Sequence, residues 1–190
     1  MIILASKSPR RSELLSQIGF TFKVVPSNVD EDQIELNSNA PEEFCKIAAI
    51  SKSRSVAEAY PESTVIGADT IVVKSDIVYG KPNSIDESII MLKSLSGGTH
   101  KVCTGVSINN FSIGFSCDFV EKTKVSFRKI DNHEIDFYVD NYDVLDKAGG
   151  YGIQCYASRF VSGISGCFYN VVGLPLSRLS AELNILKAID

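Results

Sequence analysis

The hydrophobic positions of this chain follow two different spacings, and the two alternate along the sequence. Short apolar runs, some continuous and some alternating with polar residues, are typical of strands. They occur at residues 1–4, 20–25, 65–73, 101–108, 113–119, 119–127, 160–164 and 168–172. Apolar residues three and four positions apart predict helices that begin near residues 9, 41, 84, 131 and 175. The pattern therefore predicts a protein of mixed strands and helices.

The first 19 residues predict a strand, a tight turn and a helix. Pro9 suits the first helical position, because its missing N–H is no loss there. Ser8 is then the predicted N-cap, and Gly19 ends the helix. This order places the turn and the start of the helix together at one end of a strand.

Three cations cluster at the N-terminus of this helix, namely Lys7, Arg10 and Arg11. The helix dipole already carries partial positive charge there, so each cation costs about 0.3–1 kcal/mol unless an anion lies opposite. A phosphate held by free backbone N–H groups and by arginine side chains would remove that cost. The alternative is a basic turn exposed to solvent, and both interpretations remain open.

Asp69 lies in the middle of the most apolar predicted strand, residues 65–73. A carboxylate in such a strand is costly unless it is paired, hydrogen-bonded or bound to a metal. This favours a metal ligand or a general base over a structural aspartate. Lys52 falls on the small-residue face of the helix predicted for residues 41–60, where it either extends to solvent or reaches a phosphate.

Further polar candidates lie in loops. Residues 79–82 form a rigid elbow that presents Lys81. Residues 145–154 contain three glycines, which allow a close approach of the backbone to a ligand, with Lys147 and Gln154 as the polar candidates. The same pattern also fits an ordinary loop. The acidic loop at residues 26–32 is either solvated or able to serve a divalent cation.

Composition narrows the class of protein. The 190 residues are enough for one domain, or for two lobes that share a core, and the net charge of −4 argues against a general nucleic-acid binder. No apolar run approaches the ~20 residues that span a bilayer, and the apolar start is too short for a signal peptide. Five cysteines without a CxxC pair indicate reduced thiols and a cytoplasmic location. The presence of only two histidines argues against a His-rich metal site, so any hydrolytic chemistry rests on carboxylates, lysines and a metal ion.

Six segments together resemble the Maf family of nucleoside triphosphate pyrophosphatases, which is related in fold to the inosine triphosphate pyrophosphatases. The resemblance covers about residues 2–186, in order and with suitable spacing. The segments are Leu4-Ala5-Ser6-x-Ser8-Pro9-Arg10-Arg11, Gly67-Ala68-Asp69-Thr70, Gly80-Lys81-Pro82, Leu95-Ser96-Gly97-x-Thr99-His100, Asp146-Lys147-Ala148-Gly149-x-Tyr151-Gly152-Ile153-Gln154 and Gly173-Leu174-Pro175.

The resemblance implies an α/β fold in one domain, residues 1–190, with a mixed, elongated and twisted β-sheet flanked by helices and two lobes around a cleft. It also implies a divalent cation, Mg²⁺ or Mn²⁺, and a homodimer, with no nucleic acid or membrane as partner. Asp69 matches the proton acceptor, and Glu31 and Asp69 are expected to hold the metal. Other implied catalytic and substrate-binding positions are Lys52, Lys81, Ser8, Arg10, Arg11, Thr70 and Gln154. Lys147, the polar candidate of the glycine-rich loop, is added to the expected substrate-binding residues. The chain departs from the family pattern at Val144-Leu145, Gly150 and Cys155.

The implied reaction is hydrolysis of the α–β phosphoanhydride of dTTP and UTP to the monophosphate and pyrophosphate. The chain follows the pyrimidine subgroup, rather than the one that acts on 7-methyl-GTP, both at Thr70 and at residues 147–154. Gln154 and Thr70 can each donate or accept hydrogen bonds, which matches the edge of uracil or thymine. The alternatives are a nucleotide-binding regulator of cell division without turnover, and the same chemistry on another modified nucleotide.

Overall fold

A computed structural model describes residues 1–30, 33–34 and 40–189, and it contains a seven-stranded sheet packed against helices. The strands are β1 Ile2–Leu4, β2 Phe22–Val24, β3 Thr64–Lys74, β4 Ile77–Tyr79, β5 Thr99–Asn110, β6 Phe115–Phe127 and β7 Val161–Ser165. The α-helices are α1 Pro9–Gln17, α2 Pro41–Ala57, α3 Ile85–Leu95, α4 Asn132–Asn141, α5 Phe168–Val172 and α6 Leu176–Ile189. Short 3₁₀ turns occupy Ala148–Gly150 and Tyr156–Phe160.

The strands lie in the order β2-β1-β3-β5-β6-β7, and β4 pairs with β3. β1 runs parallel to both of its neighbours, whereas every other pair is antiparallel. The sheet is therefore mixed, and the predicted α/β fold class is confirmed.

The two faces of the sheet are covered by different helices, because alternate residues of a strand point to opposite faces. From β3, Ile66, Ala68 and Val72 join the large cluster that contains residues of α1, α3, α4 and α6. Val65 and Ile71 instead pack in the smaller clusters that contain residues of α2. Asp69 lies an even number of positions from Val65 and Ile71, so its side chain points to the same face of the sheet, the one covered by α2.

Two glycines let α2 lie directly on the sheet. A Cβ added at Gly67 would lie 2.3 Å from the carbonyl oxygen of Ala49, and one at Gly105 would lie 2.3 Å from that of Cys45. Both distances are far below van der Waals contact, so no other residue fits without moving the helix. This close packing sets the height of α2 above β3.

The chain differs from the predicted elements in its C-terminal half. Residues 168–172, predicted as a strand, form α5, although they are rich in aromatic and β-branched residues. Tertiary contacts override that preference: the buried Asn170 side chain donates hydrogen bonds to Val102 O and Thr123 Oγ1. The pair Asn109-Asn110 predicts a hairpin turn, but the turn lies at 111–114. The two strands predicted at 113–119 and 119–127 form one continuous strand, β6.

Smaller predictions are also corrected. The helical spacing of apolar residues predicts core positions at Ile85 and Tyr142, but these residues are 40% and 39% exposed. Ser8 occupies the N-cap position of α1, but its side chain makes no capping hydrogen bond. The spacing Ser84-x-x-Glu87 predicts a capping box at the start of α3, and its serine half is confirmed because Ser84 Oγ accepts the backbone N–H of Glu87 at 3.1 Å. Within the described part of the chain, no helix is both long and apolar enough to cross a membrane.

Candidate active site

Segments that are distant in sequence meet in one cleft of about 340 Å³. They are the turn before α1, the middle of α2 and of β3, the elbow after β4, the glycine-rich loop after α4, and the end of α5. The cleft is lined by the predicted residues Ser8, Arg10, Arg11, Lys52, Asp69, Thr70, Lys81, Lys147 and Gln154. The predicted metal ligand Glu31 lies outside the described residues.

Asp69 and Lys52 form a buried ion pair at the base of the cleft. Lys52 Nζ lies 2.8 Å from Asp69 Oδ1, and the two residues are only 7% and 5% exposed. The alternation of side chains along β3 points Asp69 towards α2. The residues around Lys52 on that helix are small, so the Lys52 side chain can reach the Asp69 carboxylate. Lys52 therefore does not extend to solvent, one of the two possibilities left open by the sequence.

Arg11 is held in place by hydrogen bonds from three of its nitrogen atoms. Nε donates to Gly173 O at 2.9 Å, Nη1 to Ser6 Oγ at 3.3 Å and Nη2 to Thr70 Oγ1 at 3.0 Å. These bonds tie α1 to β3 and to the residue after α5. The guanidinium group is thus fixed at the wall of the cleft before any ligand binds.

Arg10 and Lys147 share one carboxylate, that of Asp146. Arg10 Nη1 contacts Asp146 Oδ2, Arg10 Nη2 donates to Asp146 O at 3.0 Å, and Lys147 Nζ contacts Asp146 Oδ1. Burial opposes ionisation of Asp146, but the hydrogen bonds from Lys147 and Arg10 outweigh it and hold the pKa of this carboxyl below its usual value. The start of α1 is thereby joined to the glycine-rich loop across the cleft.

The glycine-rich loop is also tied to the elbow that carries Lys81. The backbone N–H of Gly149, which has a φ of +69°, donates to Gly80 O at 2.9 Å. Lys81 and Gln154 have exposed side chains at the margins of the cleft. Both are placed to meet a ligand without displacing buried atoms.

A buried pair lies behind the loop. His100 Nε2 lies 2.8 Å from the hydroxyl group of Tyr151, whose residue lines the cleft. Burial, and to a smaller extent the charge of Lys74, lowers the pKa of His100 to about 4. The imidazole is therefore neutral at physiological pH and serves to hold Tyr151.

Sequence reasoning did not assign a site role to Ser6, Asp146 or Thr104, which support the arginines and Thr70. Ser6 and Asp146 lie inside the motifs that carry the family resemblance, so their positions were a usable signal. Thr104 gave no such signal, because a threonine in a strand is ordinary. Its importance depends on a contact with β3 that only the folded sheet provides.

Fold and cleft together define an α/β protein with a buried carboxylate–lysine pair beside a cation-rich cleft, an arrangement suited to a polyanionic ligand. The chain belongs to the Maf family: the family described as "Maf-like protein" matches residues 1–186.

Relatives cover nearly the whole chain. A dTTP/UTP pyrophosphatase of Geobacillus sp. (strain WCH70) is 46% identical over 185 residues, which are 97% of this chain and 97% of the relative. A dTTP/UTP pyrophosphatase of Carboxydothermus hydrogenoformans is 44% identical over 182 residues, 96% of each chain. Among solved structures, the Staphylococcus aureus Ham1 protein matches with a TM-score of 0.43 and 17% identity, over 66% of this chain and 71% of that protein.

Proposed function

We propose that this chain is a nucleoside triphosphate pyrophosphatase that hydrolyses dTTP and UTP between the α and β phosphates. The observation that carries the proposal is the Lys52–Asp69 pair, buried at the base of a cleft that is also lined by Arg10, Arg11 and Lys81. The names and coverage of the relatives support the substrate class.

Several cationic side chains of the cleft would bind the triphosphate together, each in a different way. Arg11 is fixed by the backbone and by two hydroxyl groups, so it offers a rigid donor set to phosphate oxygens. Lys81 and Lys147 act as point charges from the elbow and the loop. Together with the turn at Ser8, they would stabilise the charge that develops on the phosphates as the anhydride breaks.

Asp69 is the proposed proton acceptor. A water molecule attacks the α-phosphorus atom, its proton passes to Asp69, and the bond from the α-phosphorus to the bridging oxygen breaks. Pyrophosphate leaves with that oxygen, and the nucleoside monophosphate carries the oxygen of the water. Lys52 fixes Oδ1 by its hydrogen bond, so the carboxylate keeps one orientation while Oδ2 accepts the proton.

A divalent cation, Mg²⁺ or Mn²⁺, is part of the proposal. Among the described residues, no group of three or more His, Cys, Asp or Glu side chains could enclose a metal. Mg²⁺ is commonly held by only one or two carboxylates together with substrate phosphates, and the Asp69 carboxylate fits that mode. Glu31 is the proposed second ligand. When bound, the cation would neutralise charge on the phosphates.

The domain extent, the oligomeric state and the cellular location are also part of the proposal. We propose one domain over residues 1–190, acting as a cytoplasmic homodimer, with neither nucleic acid nor membrane as partner. All five cysteines are free thiols, which supports a reducing compartment. Light scattering after size-exclusion chromatography gives the oligomeric state directly.

The decisive experiment resolves products rather than total phosphate. The purified chain is incubated with UTP, dTTP or 7-methyl-GTP and with Mg²⁺ or Mn²⁺ in H₂¹⁸O. The expected products from UTP and dTTP are labelled monophosphate and unlabelled pyrophosphate. Release of orthophosphate with a nucleoside diphosphate, preference for 7-methyl-GTP, or binding of UTP without turnover would each contradict the proposal.

A further inference from the structure

A chain of hydrogen bonds behind the cleft begins at Thr104, a residue of β5 with no exposed surface. Thr104 Oγ1 lies 3.0 Å from the main-chain oxygen of Asn170. A carbonyl oxygen can only accept a hydrogen bond, and a threonine hydroxyl group has one proton. The proton of Thr104 is therefore committed to Asn170.

The next member of the chain is Thr70, which lines the cleft. Thr70 Oγ1 lies 3.0 Å from Thr104 Oγ1, and one of the two must donate. Because the Thr104 proton is already used, Thr70 is the donor. Arg11 Nη2 donates to Thr70 Oγ1 at 3.0 Å and so occupies one of its two lone pairs. Thr70 keeps a single lone pair for a ligand and has no proton to offer.

The acceptor at the end of the chain is itself fixed. Asn170 is completely buried, and its side-chain amide donates to Val102 O at 3.0 Å and to Thr123 Oγ1 at 2.9 Å. The carbonyl of Asn170 therefore stays beside Thr104, and the direction of the whole chain is set by the fold. Thr70, expected from the sequence to donate or accept, can only accept.

An obligate acceptor restricts what part of a nucleotide it can meet. Phosphate oxygens and ring carbonyl groups are acceptors, so they would repel the remaining lone pair of Thr70. Uridine and thymidine nucleotides share a base edge of two carbonyl groups around one N3–H donor. Cytosine has an unprotonated N3 at the same place, so N3–H is a donor that UTP and dTTP share and CTP lacks.

Gln154 cannot make this distinction alone. Its exposed side-chain amide can turn to present either its oxygen or its NH₂ group. It therefore matches the C4 carbonyl of uracil as well as the C4 amino group of cytosine. The locked hydroxyl group of Thr70 has no such freedom.

We propose that Thr104 is a specificity-setting residue that makes Thr70 a pure hydrogen-bond acceptor, and that this acceptor selects the N3–H of uracil and thymine over the bare N3 of cytosine. Thr104 acts as a positioning residue, since it touches Thr70 and not the substrate. The proposal rests on the proposed dTTP/UTP pyrophosphatase function.

The test compares kcat/KM for UTP and CTP in the wild type, Thr104→Val and Thr104→Ser. The wild type should prefer UTP by ~10-fold or more, because with CTP the hydroxyl oxygen of Thr70 and the bare N3 of cytosine would be two hydrogen-bond acceptors facing each other. In Thr104→Val the Thr70 proton is released and can bind N3 of CTP. The UTP/CTP ratio should then fall by ~10-fold, mainly through KM, whereas Thr104→Ser keeps the wild-type ratio.

Ser107→Ala is the matched control. Ser107 is a fully buried hydroxyl on the same strand that bonds to Ser53 and Asn109, away from Thr70. It should lower stability without moving the ratio. If Thr104→Val does not fold, Thr104→Ala lacks the same hydroxyl group and carries the test.

Two results would overturn the inference alone: equal use of UTP and CTP by the wild type, or an unchanged ratio in a folded Thr104→Val or Thr104→Ala variant. A wild type that turns over neither UTP nor dTTP would instead overturn the proposed function.

Discussion

At the scale of single residues, the Lys52–Asp69 pair combines a structural cost with a chemical use. Taking both charges out of water is expensive, and their attraction repays that cost only when the geometry is good. Replacing a buried ion pair by hydrophobic residues of similar volume is often neutral or stabilising. The ion pair is better explained by chemistry at the base of the cleft than by stability.

The first prediction concerns Asp69→Asn. Its side-chain oxygen can still accept the hydrogen bond of Lys52, so the variant should fold. The amide cannot take a proton from water, and kcat should fall by ~10²-fold or more at saturating metal. Steady-state kinetics with a circular dichroism spectrum measure both effects. A near-normal kcat would mean that Asp69 is only structural.

At the scale of secondary-structure elements, the height of α2 above the sheet decides where Lys52 lies. The prediction is that Gly105→Ala lowers both stability and activity, although Gly105 does not line the cleft. Its new Cβ would meet the backbone of Cys45 at 2.3 Å, so α2 must move and carry Lys52 with it. Overpacking of this kind costs about 1–3 kcal/mol or more.

Gly163→Ala in β7 is the control for Gly105→Ala, since nothing lies within 4 Å of an added Cβ there. Urea unfolding and kcat should change little in this control. Equal effects of the two substitutions would show that loss of glycine flexibility in a strand, rather than a clash with α2, explains the result.

The N-terminus of α4 gives a prediction about pH. Arg128 holds Glu134 through two hydrogen bonds, of 2.8 and 2.6 Å, and these lower the pKa of Glu134 to about 2 against the effect of burial. Because the pKa of Glu134 is lower in the folded protein than its value of 4.5 in the unfolded chain, its ionised side chain stabilises the fold above pH 4.5. This stabilisation disappears as the pH falls towards 2 and Glu134 becomes protonated. The pair is partly exposed, so its contribution is about 1 kcal/mol or less.

The measurement for this pair compares the free energy of unfolding of the wild type and Glu134→Gln at several pH values. The wild type should be more stable at pH 7, and the difference should shrink between pH 4.5 and pH 2. A difference that does not change with pH would contradict the assignment.

Helices and strands were predictable from the sequence where the preference of the local residues agrees with the contacts that they make in the folded protein. Pro9 and the stripe after it predicted α1, and the apolar run around Asp69 predicted β3. Residues 168–172 show the opposite case, because four strand-type residues and one buried asparagine formed the helix α5. The partners of Asn170 are Val102 and Thr123, which lie about fifty or more positions earlier, so no local pattern contains them.

At the scale of the whole molecule, a ligand in the cleft would contact segments that are distant in sequence, from the turn before α1 to the end of α5. The prediction is that an analogue of UTP with an uncleavable α–β bridge raises the melting temperature. At 100 times its dissociation constant, the ligand should add about 2.7 kcal/mol to the stability of the folded state. Differential scanning fluorimetry measures the shift.

Arg11→Met is the comparison for ligand stabilisation. It removes the guanidinium group that links α1, β3 and Gly173, so the analogue should stabilise the variant much less at the same concentration. Equal shifts in the two proteins would place the triphosphate elsewhere.

The sequence pointed to Asp69 and to the arginines at the start of α1 because their charges are unusual where they stand, whereas Ser8 and Thr70 were expected from the family resemblance. The links between them were not predictable. Neither the bond of Arg10 to Asp146 nor that of Thr70 to Thr104 follows from spacing, because each depends on how distant strands and loops are brought together.

The bond from Arg11 to Gly173 also sets how late in synthesis the wall of the cleft can be completed. These two residues are 162 positions apart. At about 5–20 residues per second, a ribosome needs roughly 8–30 s to make the intervening chain. Ser6 precedes Arg11, and Thr70 is made early in that interval, whereas Asp146, the partner of Arg10, and Gly173 are made near its end. A prematurely terminated product lacking residue 173 would therefore lack the bond that holds Nε of Arg11 at the wall of the cleft.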